Sequence, residues 1–391
     1  MKNILLSSLM LALSMTSANG ETCGGKFDDF VRGLKREALQ KGHSRFEVDQ
    51  FFASARQEPK TIKADRAQGV FQLPFVEFSG RLISKHRMQH GTKNLKKFKS
   101  VFNDVERRFG VPRGILTAFW AFETDFGAVQ GNFNTFNSLV TLAHDCRRPD
   151  LFRPQIFAAL ELFERGDFDP LTTEGAWAGE IGMVQMLPED ILMNGIDGDG
   201  DGKISLKTSP PDALLSGANM LRSLGWRAKE PWIQEVTLPA NFDWALTGIG
   251  TEKTGTEWQK LGVQSREAPL HGLNLGASVI LPQGRFGPAF MVFPNFHVLL
   301  KWNKSFVYVM TAAYFATLLE GADSYKNTSA ENGLSASEMK KLQTKLAARG
   351  YDVGAIDGIL GAKTRAAVQN IQQKLGMPAD AWPNIVLLNA L

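Results

Sequence analysis

A mostly helical α+β fold is predicted for this 391-residue chain, and three observations carry the prediction. Apolar residues recur at helical spacing through the first third of the chain and again from Phe296 through Leu319. Between Pro231 and Phe296 the pattern changes to short β-prone pieces separated by Gly and Pro, the signature of a small β-rich insertion at about residues 231–296. The last segment, residues 335–391, carries its own helical pattern behind a polar stretch at 321–334 that reads as a linker. The length exceeds the roughly 100–200 residues usual for one domain, so more than one folded unit is expected. With 43% hydrophobic and 21% charged residues the chain is neither disordered nor fibrous. Its formal charge of +4 is too slight to imply a nucleic-acid partner, which basic stripes would mark.

At the N-terminus, Lys2, an apolar run from Ile4 to Met15 and the small residues Thr16, Ser17, Ala18 and Gly20 read as a secretory signal over residues 1–20. The apolar run is shorter than the ~20 residues of a membrane span. The residues before Cys23 do not suit lipoprotein processing, so an exported chain without a membrane anchor is expected. Cys23 and Cys146 are the only cysteines, and an even count in an oxidising compartment predicts one disulfide. The histidines contain no His-Glu-x-x-His pair, and two cysteines alone cannot hold zinc.

Phe30, Leu34 and Ala38, then Val101, Val105 and Phe109, mark amphipathic helices in a helical N-terminal region. Pro112 starts the next helix, and winding it at 3.6 residues per turn places Glu123 beside Leu116, Phe119 and Trp120. A carboxyl in such a stripe loses hydration, which raises its pKa toward that of a general acid. Asp125 falls on the other side and reads as a solvated charge. Strands are expected at Glu235-Val-Thr-Leu, Ser278-Val-Ile-Leu and Ala289-Phe-Met-Val. In the last segment Ser335 and Glu338 form an N-terminal capping box, and Ala366, Ala367, Ile371 and Leu375 offer a core face.

Asp197-Gly-Asp199-Gly-Asp201-Gly202-Lys203 sets oxygen donors at loop positions 1, 3 and 5, a turn glycine at 6 and the Lys203 carbonyl at 7, as in an EF-hand. Position 12 is Thr208 instead of Glu, and Asp212 four residues later is the candidate to close the site. Hard oxygen donors favour Ca2+ in a structural role.

The segment Leu342-Gln343-x-x-Leu346, Gly350-Tyr351, Gly354-x-Ile356-Asp357-Gly358, Gly361, Thr364, Ala367-Val368 and Gln372 resembles the peptidoglycan-binding domain of exported cell-wall enzymes. It departs from that pattern at Asp380-Ala381, where Asp-Gly is usual. Glu123-Thr-Asp-Phe-Gly127 is similar to the signature of B-type lytic murein transglycosylases. That resemblance continues through Ser138-Leu-Val-Thr-Leu-Ala, Cys146-Arg-Arg148, Gly175-Ala-Trp-Ala-Gly179, Gly182-Met-Val-Gln185, Gly225-Trp226 and Asn303-Lys-Ser-Phe-Val-Tyr308. It implies a lysozyme-like catalytic core over residues 21–320 that cleaves peptidoglycan glycan strands between N-acetylmuramic acid and N-acetylglucosamine, leaving 1,6-anhydromuramoyl ends in the periplasm. It implies Glu123 as sole acid/base, Gln185, Asn303 and Tyr308 lining the cleft, Arg148 at a peptide or lactyl carboxylate, and no organic cofactor. Ala176, Glu180, Met183 and Trp302 depart from the family pattern. A murein-binding scaffold and a hydrolytic muramidase using Glu180 are the rival expectations.

Overall fold

The structure, a computed structural model, describes residues 23–67, 73–266, 269–326 and 330–391; the expected signal segment lies outside the described residues. Its centre is the helix Arg113–Thr124, apolar on every side and buried from Gly114 to Ala121. A helix of that composition has to be surrounded. The helix Phe306–Leu319, buried from Val309 to Ala316, runs along it, with Lys85–Lys97, Lys99–Phe109 and Pro210–Ser223 around the remaining faces.

The two central helices approach closely at Gly114: a Cβ there would stand 2.7 Å from the Ala316 carbonyl oxygen. At the same point the Gly114 N–H donates to the Glu320 carboxylate at 2.8 Å, so the end of one helix caps the start of the other. Pro112 is the residue before the helix rather than its first turn, and Arg113 is held by Glu106 through Nε and Nη2.

The N-terminal helices Phe27–Gln40 and Arg45–Phe52 pack against Thr135–His144 and Pro149–Arg165. Phe51 is fully buried there among Phe52, Phe136, Phe163 and Phe168. The expected disulfide joins Cys23 to Cys146, with Cα atoms 5.1 Å apart, and the Gly24 N–H donates to the His144 carbonyl beside it.

The insertion is a five-stranded antiparallel sheet ordered Lys253–Thr254, Gly276–Ile280, Ala289–Val292, Ile233–Thr237, Gln264–Ser265. Its side chains alternate between two cores. Phe290, Val292, Ile233 and Ile280 join the helical core, while Met291, Val279, Ala277 and Val236 close on Trp258 and Phe242 in a smaller one. Both faces are therefore covered, and the middle strand reads as an unbroken apolar run.

One expectation, for Asp125, is corrected, and two gain detail. The helical pattern from Phe296 through Leu319 is two helices, Pro294–Trp302 and Phe306–Leu319, because the Asn303 side chain accepts from the Ser305 N–H and turns the chain between them. Within the polar stretch expected as a linker, Tyr325 packs at a tilt against Tyr314 and its hydroxyl meets Ser79. Asp125 is no solvated charge: it caps the central helix in the left-handed region and pairs with Arg87.

The C-terminal module packs the helices Ala336–Ala347, Ala362–Lys374 and Ile385–Ala390 around Leu342, Leu346, Val368 and Leu387, and its capping box forms as expected. Buried Gln343 binds the glycine-rich loop from inside, accepting from the Gly358 N–H at 2.7 Å and donating to the Ala355 and Ile359 carbonyls. Gln372 does the same for the last turn, accepting from Ala381, which is held at φ 59° where glycine would be strain-free. The module rests on the insertion through Gln369 on the Thr247 carbonyl, Arg285 with Asp380, and Arg365 on the Pro282 carbonyl.

Candidate functional site

Glu123 stands in the last turn of the central helix, half-buried, and its Oε1 accepts a 2.6 Å hydrogen bond from the Tyr308 hydroxyl. Tyr308 belongs to the first turn of Phe306–Leu319, so the packing of the two central helices is what brings phenol to carboxyl. Burial pushes the Glu123 carboxyl up to about 7. The Tyr308 hydroxyl and the Trp302 side chain oppose that rise by hydrogen bonding the charged form, and the charge of Glu180 adds to it. Tyr308 itself is driven well above the usual phenol range by burial and by Glu123, so it remains a donor.

The surrounding apolar wall is set by the same helix. Phe119 stacks on Trp302 at 4.7 Å and reaches Tyr308, whereas Trp120, expected beside the carboxyl, turns to Phe98 and Phe126.

The residues after Glu123 turn the chain sharply: Asp125, Phe126 and Gly127 are all left-handed, at φ 50°, 61° and 89°. Thr124 ties this turn down, its hydroxyl donating to the Met183 carbonyl at 2.7 Å and accepting from the Gly127 N–H. That bond fastens the loop 181–186 to the carboxyl-bearing end of the helix. The loop is closed by paired bonds between Ile181 and Met186, and Gln185, at φ 52°, donates its side-chain amide to the Gly182 carbonyl.

Glu180 enters from the preceding loop. Its backbone carbonyl accepts from Ala176, its carboxyl is pushed up by burial, and Oε2 is buried without a hydrogen bond. Ala176 supplies no hydroxyl.

Of the cleft residues expected from the sequence, Tyr308 alone bonds Glu123 directly. Asn303 uses its side-chain oxygen to start the Tyr308 helix, and Gln185 shapes its own loop. Arg148 is engaged by the fully buried Asp65, which also binds Arg147, and lies over the Phe152 ring; its field reaches Glu180. The sequence reading missed Arg87, whose guanidinium lies over Phe122, pairs with Asp125 and counters the rise at Tyr308. Only tertiary packing places it there. Its one signal in the sequence is a cation in an acid-free helix, Lys85–Lys97.

The cation loop gathers Asp197, Asp199 and Asp212 with carboxylate oxygens within 4.8 Å of one another. Asp212 is fully buried and accepts from the Gly198 and Ser205 N–H groups, and Ser209 donates to Asp199. No Lys or Arg side chain pairs with Asp212 among the described residues. Of the other expected ligands, Asp201 is not one of these three carboxylates and accepts from the Lys203 N–H, while Lys203 is expected to offer its main-chain carbonyl. Three convergent carboxylates with hard oxygens fit a divalent cation.

A family described as the transglycosylase SLT domain matches residues 26–317, and a peptidoglycan binding domain matches residues 335–391. The chain is 25% identical over 239 residues to the membrane-bound lytic murein transglycosylase B of Escherichia coli K12. That match takes in 60% of this chain and 64% of the relative, a little under two thirds of its length. The fold superimposes on SltB3 from Pseudomonas aeruginosa in complex with NAG-anhNAM-pentapeptide, with a TM-score of 0.83 and 37% identity over 94% of this chain and 99% of that one. An Escherichia coli lytic transglycosylase in complex with calcium shares the fold at a TM-score of 0.64 and 22% identity over 78% of this chain and 97% of that one.

Replacing Tyr308 with Phe removes a donor that favours the charged carboxyl. Glu123 is then expected to titrate about one to two pH units higher, read from the carboxyl carbon resonance of labelled glutamate. An unchanged titration would show that the bond does not set the acidity.

Proposed function

The chain belongs to the transglycosylase SLT family, and on that premise we propose that it is a lytic transglycosylase that cuts peptidoglycan between N-acetylmuramic acid and N-acetylglucosamine. The observation that carries the reading is one half-buried carboxyl near pKa 7, hydrogen-bonded by a phenol, in a wall of aromatic side chains. Such a group holds its proton at neutral pH and can also accept one.

Protonated Glu123 gives its proton to the glycosidic oxygen as the C1–O bond breaks. The Tyr308 hydroxyl stabilises the carboxylate so formed. That carboxylate takes the proton of the muramoyl C6 hydroxyl as O6 closes onto C1, which yields the 1,6-anhydro ring and restores the acid. No water enters and no second carboxylate is required, unlike the paired acids of glycoside hydrolysis. Gln185 and Asn303 line the cleft as polar contacts for sugar substituents. Arg148, held by Asp65, contributes positive potential toward a substrate carboxylate rather than an unengaged guanidinium. The C-terminal module binds the wall.

The position of Glu180 favours one second reading, hydrolysis with Glu180 as the base for water. Burial weighs against it by pushing that carboxyl away from the charged form a base needs. The chain acts outside the cytoplasm: a wall substrate, a disulfide and the apolar leader all suit export. Ca2+ is the cation we assign to Asp197, Asp199 and Asp212, where it would balance buried Asp212 and hold the loop to the helix Pro210–Ser223.

Treating purified peptidoglycan with the protein is expected to release anhydromuropeptides, about one water (~18 Da) lighter than hydrolytic products in mass spectrometry. Glu123→Gln is expected to lower the rate by at least about 10²-fold, and the wild-type rate to fall as pH rises through about 7 and the acid form is lost. Reducing-end products would establish the hydrolytic reading, and wall binding without release a scaffold. For the cation, calorimetry with Ca2+ at about 100 times its dissociation constant is expected to stabilise the fold by about 2.7 kcal/mol over chelated protein, and Asp212→Asn to remove the gain. Equal midpoints with Ca2+ and chelator would refute the assignment.

A further inference from the structure

Between Glu77 and Asp104 the sequence contains seven Lys and Arg residues and no acid. Seven exceeds the +4 of the whole chain, so the remainder is net acidic and the positive charge is concentrated here. The stretch takes in the helix Lys85–Lys97 and the start of Lys99–Phe109. Two of its cations are committed, Arg81 to Glu77 and Arg87 to Asp125. The other five, Lys85, Lys93, Lys96, Lys97 and Lys99, are exposed, and among the described residues none of them pairs with an acid.

Helical geometry gathers these charges. At 3.6 residues per turn Lys85, Lys93, Lys96 and Lys97 share an arc of about 120° on the outward side of their helix. Met88, Gly91 and Leu95 on its far side pack into the body. Helix stability does not account for the pattern. Lys85 and Lys99 open their helices, where the macrodipole disfavours a cation, and neither first turn holds an acid. Lys93 and Lys97 stand four residues apart, a spacing at which like charges repel. Only Lys96 and Lys97 sit in a last turn, where a cation is favoured.

A partner carrying several negative charges would relieve that repulsion. A lipid surface fits poorly: no large apolar side chain is exposed between residues 81 and 103, and a helix lying on a membrane buries an apolar face in it. Position favours peptidoglycan. At the edge of the lysine face the exposed His90 ring lies 6.2 Å from Phe126, in the left-handed turn three residues after Glu123. The 13-residue helix is about 20 Å long, and a stem pentapeptide extended at about 3.5 Å per residue spans about 17 Å. We propose that the outward face of Lys85–Lys97 docks the carboxylates of stem peptides on the strand being cleaved. The inference rests on peptidoglycan being the substrate. It gives the catalytic body a wall contact of its own, separate from the C-terminal module, and one that weakens with salt because exposed charges are screened.

The test is pelleting of the full-length Glu123→Gln protein with purified peptidoglycan. Replacing Lys85, Lys93, Lys96 and Lys97 together with Gln is expected to weaken binding about tenfold at about 0.05 M salt, the sum of four individually weak exposed pairs. At about 1 M salt, where the screening length falls to about 3 Å, the two proteins are expected to bind alike. Gln matches Lys in helix propensity, so the melting midpoint is expected to hold. Arg at the same four positions keeps the charge and is expected to keep the affinity. Peptidoglycan whose carboxylates have been converted to neutral amides is expected to bind the parent and the Gln variant equally. An unchanged affinity of the Gln variant at low salt, or a tenfold difference that persists on the amidated polymer, overturns the proposal. So does a difference seen only on vesicles of anionic phospholipid, which would make a membrane the partner. The parent alone on native and amidated polymer decides the matter even where a variant unfolds, since affinities that match at low salt leave the carboxylates no part. If neither polymer pellets the parent and the wild-type protein releases no anhydro product, the function proposed above fails instead.

Discussion

The hydrogen bond from Tyr308 to Glu123 is the interaction on which the rest of the architecture bears. It joins the last turn of one buried helix to the first turn of another, and its geometry holds only while those helices stay packed. Gly114 lets their backbones approach, and Glu320 caps the central helix across the gap between them. The same packing withdraws the carboxyl from water, which brings its pKa to about 7, while the phenol limits the rise. Acidity and position thus have one structural cause.

Around that pair the structure balances opposing charges. Glu180 raises the pKa of Glu123, Arg148 counters Glu180, and Asp65 restrains Arg148. Arg87 performs a similar service for Tyr308 while pairing with Asp125 in the left-handed turn. Thr124, one residue from the acid, carries the mechanical link: through the Met183 carbonyl it fixes the loop 181–186 against the reacting end of the helix. Trp302 both stacks on Phe119 and supports the carboxylate.

Local periodicity made much of this visible in advance. The apolar stripe of the central helix marked Glu123 as desolvated, the two cysteines announced their bridge, and the β-prone pieces at 235, 278 and 289 fell on strands. What stayed hidden depended on contacts distant in sequence. Arg87 lies 38 residues from the aspartate it pairs with, and no spacing rule links them. Asn303 broke a helical pattern through one side-chain hydrogen bond that hydrophobic periodicity does not register. The reach of the cation loop was largely readable: the alternation of Asp and Gly predicted the turn and Asp212 was the expected closing acid, while the fold adds which three carboxylates, Asp197, Asp199 and Asp212, converge.

The central claim is that one carboxyl suffices because the substrate's own hydroxyl closes the ring. Running the cleavage in oxygen-18 water and analysing the muramoyl ends by mass spectrometry tests this directly. The account predicts anhydro ends that carry no label, since no water oxygen reaches C1. Label at C1, in reducing ends, would show that water attacks and that a second group, with Glu180 the candidate in view, activates it.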